Sequence, residues 1–166
     1  MRAQPFRDVL SCLATGVVAV TALDDVGRPL GITVSSFTSV SLEPPLVLFC
    51  IAATSRTWPR MRTGDGICIN ILGEDQQDVS VRLSSSGTEK FDDVAWTPSA
   101  DGNPVLHGVL TWLECTVTDE YRAGDHHIVV SRVDRAASAA DGAPLVRNRG
   151  RYVRLAGPGT HKEVCS

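Results

Sequence analysis

The residues best equipped for chemistry gather in one stretch, Gly31-Ile-Thr-Val-Ser-Ser-Phe-Thr-Ser-Val-Ser-Leu-Glu-Pro-Pro45. Six of the nine side chains from Thr33 to Ser41 are hydroxyls. Hydroxyls this dense between β-formers belong on a surface that offers small hydrogen-bond donors to a bound molecule, not in a core. Ser55-Arg56-Thr57 and Lys90-Phe91 add two cations. Each alone reads as a solvated loop charge. Taken with short hydroxyls and backbone N–H groups, they supply what a phosphate-bearing ligand requires. Gly124-Asp125-His126 sets an imidazole beside a turn. Either Asp125 caps a hairpin turn and His126 is its solvated neighbour, or the ring is held at a rim to meet a ligand. Arg151-Tyr152 reads as strand surface or as an aromatic lid.

Other chemistries find little support. The chain has no GxGxxG fingerprint, no GxxxxGK[ST] phosphate loop and no GxSxG elbow. A nucleophilic serine within the hydroxyl run, with His126 as its base, is disfavoured, because such a serine is normally a single residue on a strained turn. His126 and His127 are adjacent, so on a strand they point to opposite faces and cannot chelate one ion. His161 and Cys165 have no further ligands near them in sequence, and no metal site is expected.

Positioning these groups falls to a mainly β scaffold. Phe6, Val9, Leu10 and Leu13 share one face of a short helix over residues 4–14. Strands are expected over 17–23, over the hydroxyl run, and over 46–51 after a Glu43-Pro44-Pro45 corner. Pro59 fits the first turn of a short helix begun by Thr57 or Trp58. Residues 67–72 form a further strand, and 75–83 a short helix with Val79 and Leu83 on its buried side. In the next strand Val109, Thr111, Leu113, Cys115 and Val117 share one face, with Leu110, Trp112, Glu114, Thr116 and Thr118 on the other. A hairpin turn at 121–125 leads into 126–133, and residues 144–146 and 151–155 close the count at seven or eight strands. That pattern predicts an antiparallel, Greek-key-like barrel with a few short helices rather than βαβ units. One domain is expected over residues 1–156, with 157–166 as a frayed tail.

With 166 residues the chain can bury a real core. A net charge of -3 argues against a nucleic-acid partner, and no apolar run approaches a membrane span. The five scattered cysteines, without a CxxC, read as reduced and mostly buried thiols of a cytoplasmic protein.

Ala14-Thr-Gly-Val17, the whole block 31–47, Ile69-Asn-Ile-Leu72, Lys90-Phe91 and Ala123-Gly-Asp-His126, in this order, resemble the flavin reductase components of two-component flavin-dependent monooxygenases. The resemblance implies an FMN-binding split barrel and a homodimer with each flavin in a groove near the subunit interface. It implies that Thr33, Val34, Ser35 and Ser36 line the flavin ring and ribityl chain, with Cys50 and Ala52 flanking. It assigns Ser55, Arg56, Thr57 and Lys90 to phosphate, and Phe91 to the flavin's side. His126 would position the nicotinamide nucleotide and Tyr152 would close over it. His127 stands where relatives often carry a small or apolar residue, which leaves open whether one or both histidines reach the ligand. The implied activity is hydride transfer from NADH or NADPH to dissociable FAD or FMN, with reduced flavin passed to a partner monooxygenase. The rival readings are a split-barrel oxidase with tightly held flavin, as in pyridoxamine-phosphate oxidase relatives, and a non-catalytic flavin or haem module.

Overall fold

A computed structural model describes residues 3–64, 66–85, 87 and 89–155. The expected tail, with His161 and Cys165, lies outside them. In chain order the elements are α1 (Ala3–Leu10), β1 (Thr15–Gly16), β2 (Val18–Leu23), β3 (Pro29–Val34), β4 (Thr38–Leu42) and β5 (Pro45–Ala52). Then come α2 (Trp58–Met61), β6 (Ile67–Ile71), α3 (Gln77–Ser84), β7 (Trp96–Pro98) and β8 (Pro104–Leu106). The chain continues through β9 (Thr111–Ala123), β10 (His126–Ser138), β11 (Val146–Asn148) and β12 (Arg151–Val153).

Seven strands make one antiparallel sheet in the order β3-β2-β6-β9-β10-β5-β4. Its two edge strands, β3 and β4, are separated in sequence only by residues 35–37. Four Cα steps reach at most about 14 Å. Six flat inter-strand spacings would need roughly 29 Å. The sheet must therefore curl until its edges nearly meet, and the hydroxyl run, expected as one strand, is two. The interior holds Val20, Ile32, Val47, Phe49, Ile69 and Val129. Phe49 meets Trp58 of α2 edge to face, with centroids 5.4 Å apart. Outside the curl, α3 and the small sheet β1-β11-β12 cover a second cluster of Ala19, Leu72, Leu83, Leu106, Val109 and Leu145. β2 is apolar nearly throughout because it lies between the two clusters.

Several expectations shift. β1 and the strand pair β7–β8 are not expected from the sequence, and with the hydroxyl run split in two they bring the described total to twelve strands. Val109 precedes β9 and packs in the outer cluster rather than beside Leu113 and Cys115. The stripe of α1 is exposed: Phe6 is 50% accessible, Val9 69%, Leu10 53% and Leu13 69%. Cys68 and Cys115 are buried, but Cys12 is exposed and Cys50 half-buried. Burial pushes the Cys68 and Cys115 thiols up to about 12, which leaves them unreactive. Among the described residues no helix is long and apolar enough to cross a membrane.

Polar pins hold β7–β8 to the barrel. Buried Asn70 donates to Thr21 Oγ1 (3.0 Å) and accepts from Leu106 N (2.9 Å). Thr21 Oγ1 donates to Pro104 O (2.5 Å). Glu114, expected on the strand face opposite Leu113 and Cys115, is 1% accessible. It accepts from Ser99 Oγ, from Asp101 N (3.0 Å) and from Arg135 Nη1 (2.9 Å). Burial alone would raise its pKa, yet these donors hold it below the usual carboxylate value.

A depressed folded pKa gives stability that is fully present above the unfolded value, about 4.3, and lost as pH falls through the folded one. Glu114→Gln should therefore be less stable than wild type at pH 7, with a gap that narrows below about pH 4. Urea unfolding across pH 2.5–7 reads this; a gap independent of pH would refute the charge assignment.

Candidate functional site

β5 ends at Ala52, and the loop after it prepares α2. Ser55 Oγ accepts the N–H of Trp58 (3.2 Å), and Pro59 fills the first turn, where no intrahelical donor is needed. Trp58 is anchored in the core, so Arg56, Thr57 and Arg60 are carried toward β3 and the end of α3. α3 is fixed in turn against β3: Thr33 Oγ1 donates to Ser80 O (3.3 Å). Gly31 permits the close approach, since a Cβ there would lie 2.9 Å from Leu83 Cδ2 and 3.0 Å from the Phe91 ring.

Between these elements runs an open groove of about 570 Å³. Its walls hold the cations Arg56, Arg60 and Lys90, and the hydroxyls of Thr33, Thr54, Ser55, Thr57, Ser84 and Ser85. No carboxylate is among its described lining residues. Two smaller recesses continue it. One of about 110 Å³ shares Thr57, Arg60 and Lys90 and adds Arg28, Leu30 and Phe91. The other, about 60 Å³, shares Thr33 and Ser84 and adds Val34, Ser35, Arg147 and Tyr152.

Lys90 Nζ donates to Leu83 O (3.0 Å) and Gly31 O (3.4 Å), which uses two of its three protons and leaves one for the groove. Partial burial lowers its pKa from the usual lysine value. Tyr152 shares a hydrogen bond with Ser80 Oγ (2.9 Å), and the Arg147 guanidinium lies 5.8 Å from its ring centroid.

The structure thus unites Thr33, Val34, Ser35, Ser55, Arg56, Thr57, Lys90, Phe91 and Tyr152 along one connected surface. Ser36, Cys50, Ala52 and His126 are not in the walls of these recesses; they follow the β5–β10 side. Ser36 Oγ accepts from Cys50 N (2.8 Å) and donates to Cys50 O (3.2 Å). In the β4–β5 register Thr38 faces Leu48, so Ser36 stands where the next rung but one would face Cys50. Its side chain replaces that rung and continues the β4–β5 ladder across the opening of the sheet.

Ala52 pairs with His126 at the start of β10. His126 Nδ1 lies 2.8 Å from Asp125 Oδ1 and the side chain is exposed, which leaves Nε2 free of any protein partner in the described residues. His127 turns the other way, its Nδ1 2.8 Å from Glu120 Oε1. Glu120 Oε2 also receives Trp58 Nε1 and Arg62 Nη1, both at 3.2 Å. One carboxylate therefore ties the hairpin to α2, and His127 is committed to that tie.

Sequence reasoning missed Arg60, Arg28, Thr54, Ser84 and Ser85. Arg60 could have been found from helical spacing, since it lies one turn beyond Arg56 and Thr57. Arg28 is held locally by Asp24 four residues before it, but its place beside Lys90 is a fold contact that local sequence does not encode.

A sheet curled until its edges nearly meet, flanked by a hydroxyl- and cation-lined groove, defines a split-barrel protein. More narrowly, the chain belongs to the flavin reductase family: the flavin reductase like domain matches residues 10–156. It is 40% identical over 150 residues to the reductase subunit HsaB of a flavin-dependent monooxygenase from Rhodococcus jostii, covering 90% of this chain and 76% of that one. A nitrilotriacetate monooxygenase component B homologue from Mycobacterium thermoresistibile superposes with a TM-score of 0.88 at 38% identity, over 92% of this chain and 86% of that one. The NADH:FAD oxidoreductase SgcE6 of Streptomyces globisporus, in complex with NAD and FAD fragments, gives 0.87 at 30% identity over 93% of each chain.

If Ser36 bridges the seam, Ser36→Ala should unprotect the Cys50 amide, with hydrogen exchange there faster by about tenfold, the equivalent of one hydrogen bond. Unchanged protection at Cys50 would remove the bridging role.

Proposed function

We propose that this chain is the reductase component of a two-component monooxygenase, passing hydride from NADH to dissociable FAD or FMN and releasing the reduced flavin to its oxygenase. The observation that carries this reading is the groove itself: three cations, six hydroxyls and no described carboxylate, on the wall of a flavin reductase-like barrel. Such walls suit a phosphate-bearing cofactor and hold, among the described residues, no carboxylate or imidazole to act as general acid or base. A bound flavin accepts the hydride, and the nicotinamide gives it, so the chemistry resides in the nucleotides. The protein's work is to hold and orient.

In this reading Arg56, Ser55, Thr57 and Lys90 hold the flavin phosphate, and Thr33, Val34 and Ser35 border the ribityl chain and ring. Phe91 packs at the flavin's side. Ser36, Cys50 and Ala52 shape the neighbouring rim through the seam and the β5–β10 ladder. His126, with its free Nε2, meets the nicotinamide nucleotide, while Tyr152 closes over the nucleotide from the β12 side. Hydroxyl and amide contacts contribute only about 0.5–1.5 kcal/mol each. That accords with a flavin that exchanges.

The exposed stripe of α1, together with Val40 and Leu42 at 50% and 92% accessibility on edge strand β4, supports a homodimer in which a second copy covers these faces. Two buried, high-pKa thiols and an exposed, unpaired Cys12 accord with a reducing, cytoplasmic setting.

Loss of absorbance at 340 nm in NADH with purified protein should saturate as FMN or FAD is added. No oxidation with either flavin and either nicotinamide nucleotide would remove the reading. Arg56→Ala and Lys90→Ala should each raise the flavin KM about tenfold, the value of one charge-assisted contact, with a smaller effect on kcat. His126→Ala should raise the KM for NADH more than that for flavin; the reverse order would displace His126 from its assigned role.

A further inference from the structure

The recess of about 110 Å³ beyond Lys90 holds a charge arrangement that a single phosphate does not need. Arg28, Arg60 and Lys90 face it, and the first two are not loose surface cations. Both bind Oδ2 of one carboxylate: Arg28 Nε lies 3.0 Å and Arg60 Nη2 2.8 Å from Asp24, whose side chain is 2% accessible. Asp24 Oδ1 accepts the N–H groups of Val26 (3.1 Å) and Arg28 (2.8 Å) in the turn between β2 and β3. Burial works against its charge, but the Arg28 and Val26 donors and the Arg60 guanidinium outweigh that and hold its pKa at about 2. The carboxylate is therefore a permanent anchor that fixes two guanidiniums.

Each guanidinium uses one N–H on Asp24 and keeps its remaining donors for the recess. Three cations against one carboxylate leave an excess of positive charge beside the groove where Arg56 and the hydroxyls already serve one phosphate. Planar forks fixed in this way suit phosphate oxygens.

We infer that this recess is a subsite for the second phosphate of a diphosphate, the feature that separates a dinucleotide from flavin mononucleotide, with Asp24 as the residue that positions Arg28 and Arg60. The inference rests on the reductase reading and deepens it. The diphosphate comes from FAD or from the nicotinamide dinucleotide, and kinetics separate the two.

The test compares wild type, Arg28→Ala, Arg28→Lys and Asp24→Asn, using FAD or FMN as acceptor and NADH or reduced nicotinamide mononucleotide as donor. If the flavin supplies the diphosphate, Arg28→Ala raises the ratio of the FAD KM to the FMN KM at least fivefold, roughly one ionic contact. If the nicotinamide nucleotide supplies it, the same rise appears in the ratio of the NADH KM to the mononucleotide KM. Arg28→Lys recovers only part of either loss, because it keeps the charge but not the fork. Asp24→Asn moves the same ratio in the same direction. Should it fail to fold, Arg28→Ala, at an exposed side chain, still decides. Both ratios within about twofold of wild type in Arg28→Ala, less than half the value of one contact, overturn the proposal. Calorimetric titration with ADP and AMP keeps this result apart from failure of the reductase reading. ADP binding about tenfold tighter than AMP, a preference lost in Arg28→Ala, supports the subsite even without NADH oxidation; equal affinities in wild type reject it.

Discussion

Everything in this structure depends on a short tether. Residues 35–37 must carry the chain from one edge of a seven-stranded sheet to the other, and only a curled sheet brings those edges within reach. The curl creates an interior for Phe49, Ile69 and Val129, and an outer wall on which α3 and the C-terminal strands settle. It also explains why two of the three tether residues are serines. A residue there must satisfy backbone groups that no neighbouring strand reaches, and Ser36 does so with its side chain at Cys50. The same turn of the chain sets Thr33 and Ser35 beside the groove.

Three carboxylates do the long-range fastening, and each collects several donors. Asp24 joins the β2–β3 turn to α2 through Arg60. Glu120 joins the β9–β10 hairpin to α2 through Trp58 and Arg62. Glu114 joins β9 to the loop between β7 and β8 and to Arg135 of β10. A four-residue helix is marginal by itself. α2 holds its place because its Trp58 fills the core and its arginines are gripped from two sides. The groove inherits its order from that grip.

Much of the scaffold was legible. β2, β5, β6 and the β9–β10 hairpin show as apolar or alternating runs bounded by Gly, Pro and Asp. Pro59 marked α2, and Gly124, with φ 64°, marked the hairpin tip. The connected groove residues from Thr33 to Lys90 were also within reach, because hydroxyls and cations stand out against β-formers. What failed was whatever depended on contact between distant segments. β7 and β8 are three-residue strands carrying prolines, too short to show a period. Glu114 shares a strand face with Thr116 and Thr118, and nothing in that alternation shows that the β7–β8 loop and Arg135 close over it. The period of α1 correctly gave a helix but not what its apolar face meets, since periodicity reports a stripe and not its partner. The tether was read as strand because Ser35, Ser36 and Phe37 carry no Gly or Pro to interrupt a β pattern.

The alternation at His126 and His127 reaches beyond the histidines themselves. The bulges in the β9–β10 ladder fall at Val130/Ser131 and Val133/Arg135, below the tip, so the ladder is regular from His126 to Val130. The two rings are consequently opposite-facing readers of a single register. One is sealed against Glu120 and the other open beside Asp125. Lengthening the Gly124-Asp125 turn by a residue while the base stayed paired would leave both rings in place and alter only the tip. Sliding the strand by a residue would turn each ring to the opposite face and take His127 from Glu120. The hairpin can therefore vary in length more freely than in phase, and insertions are tolerated at its end while its pairing is not free to drift.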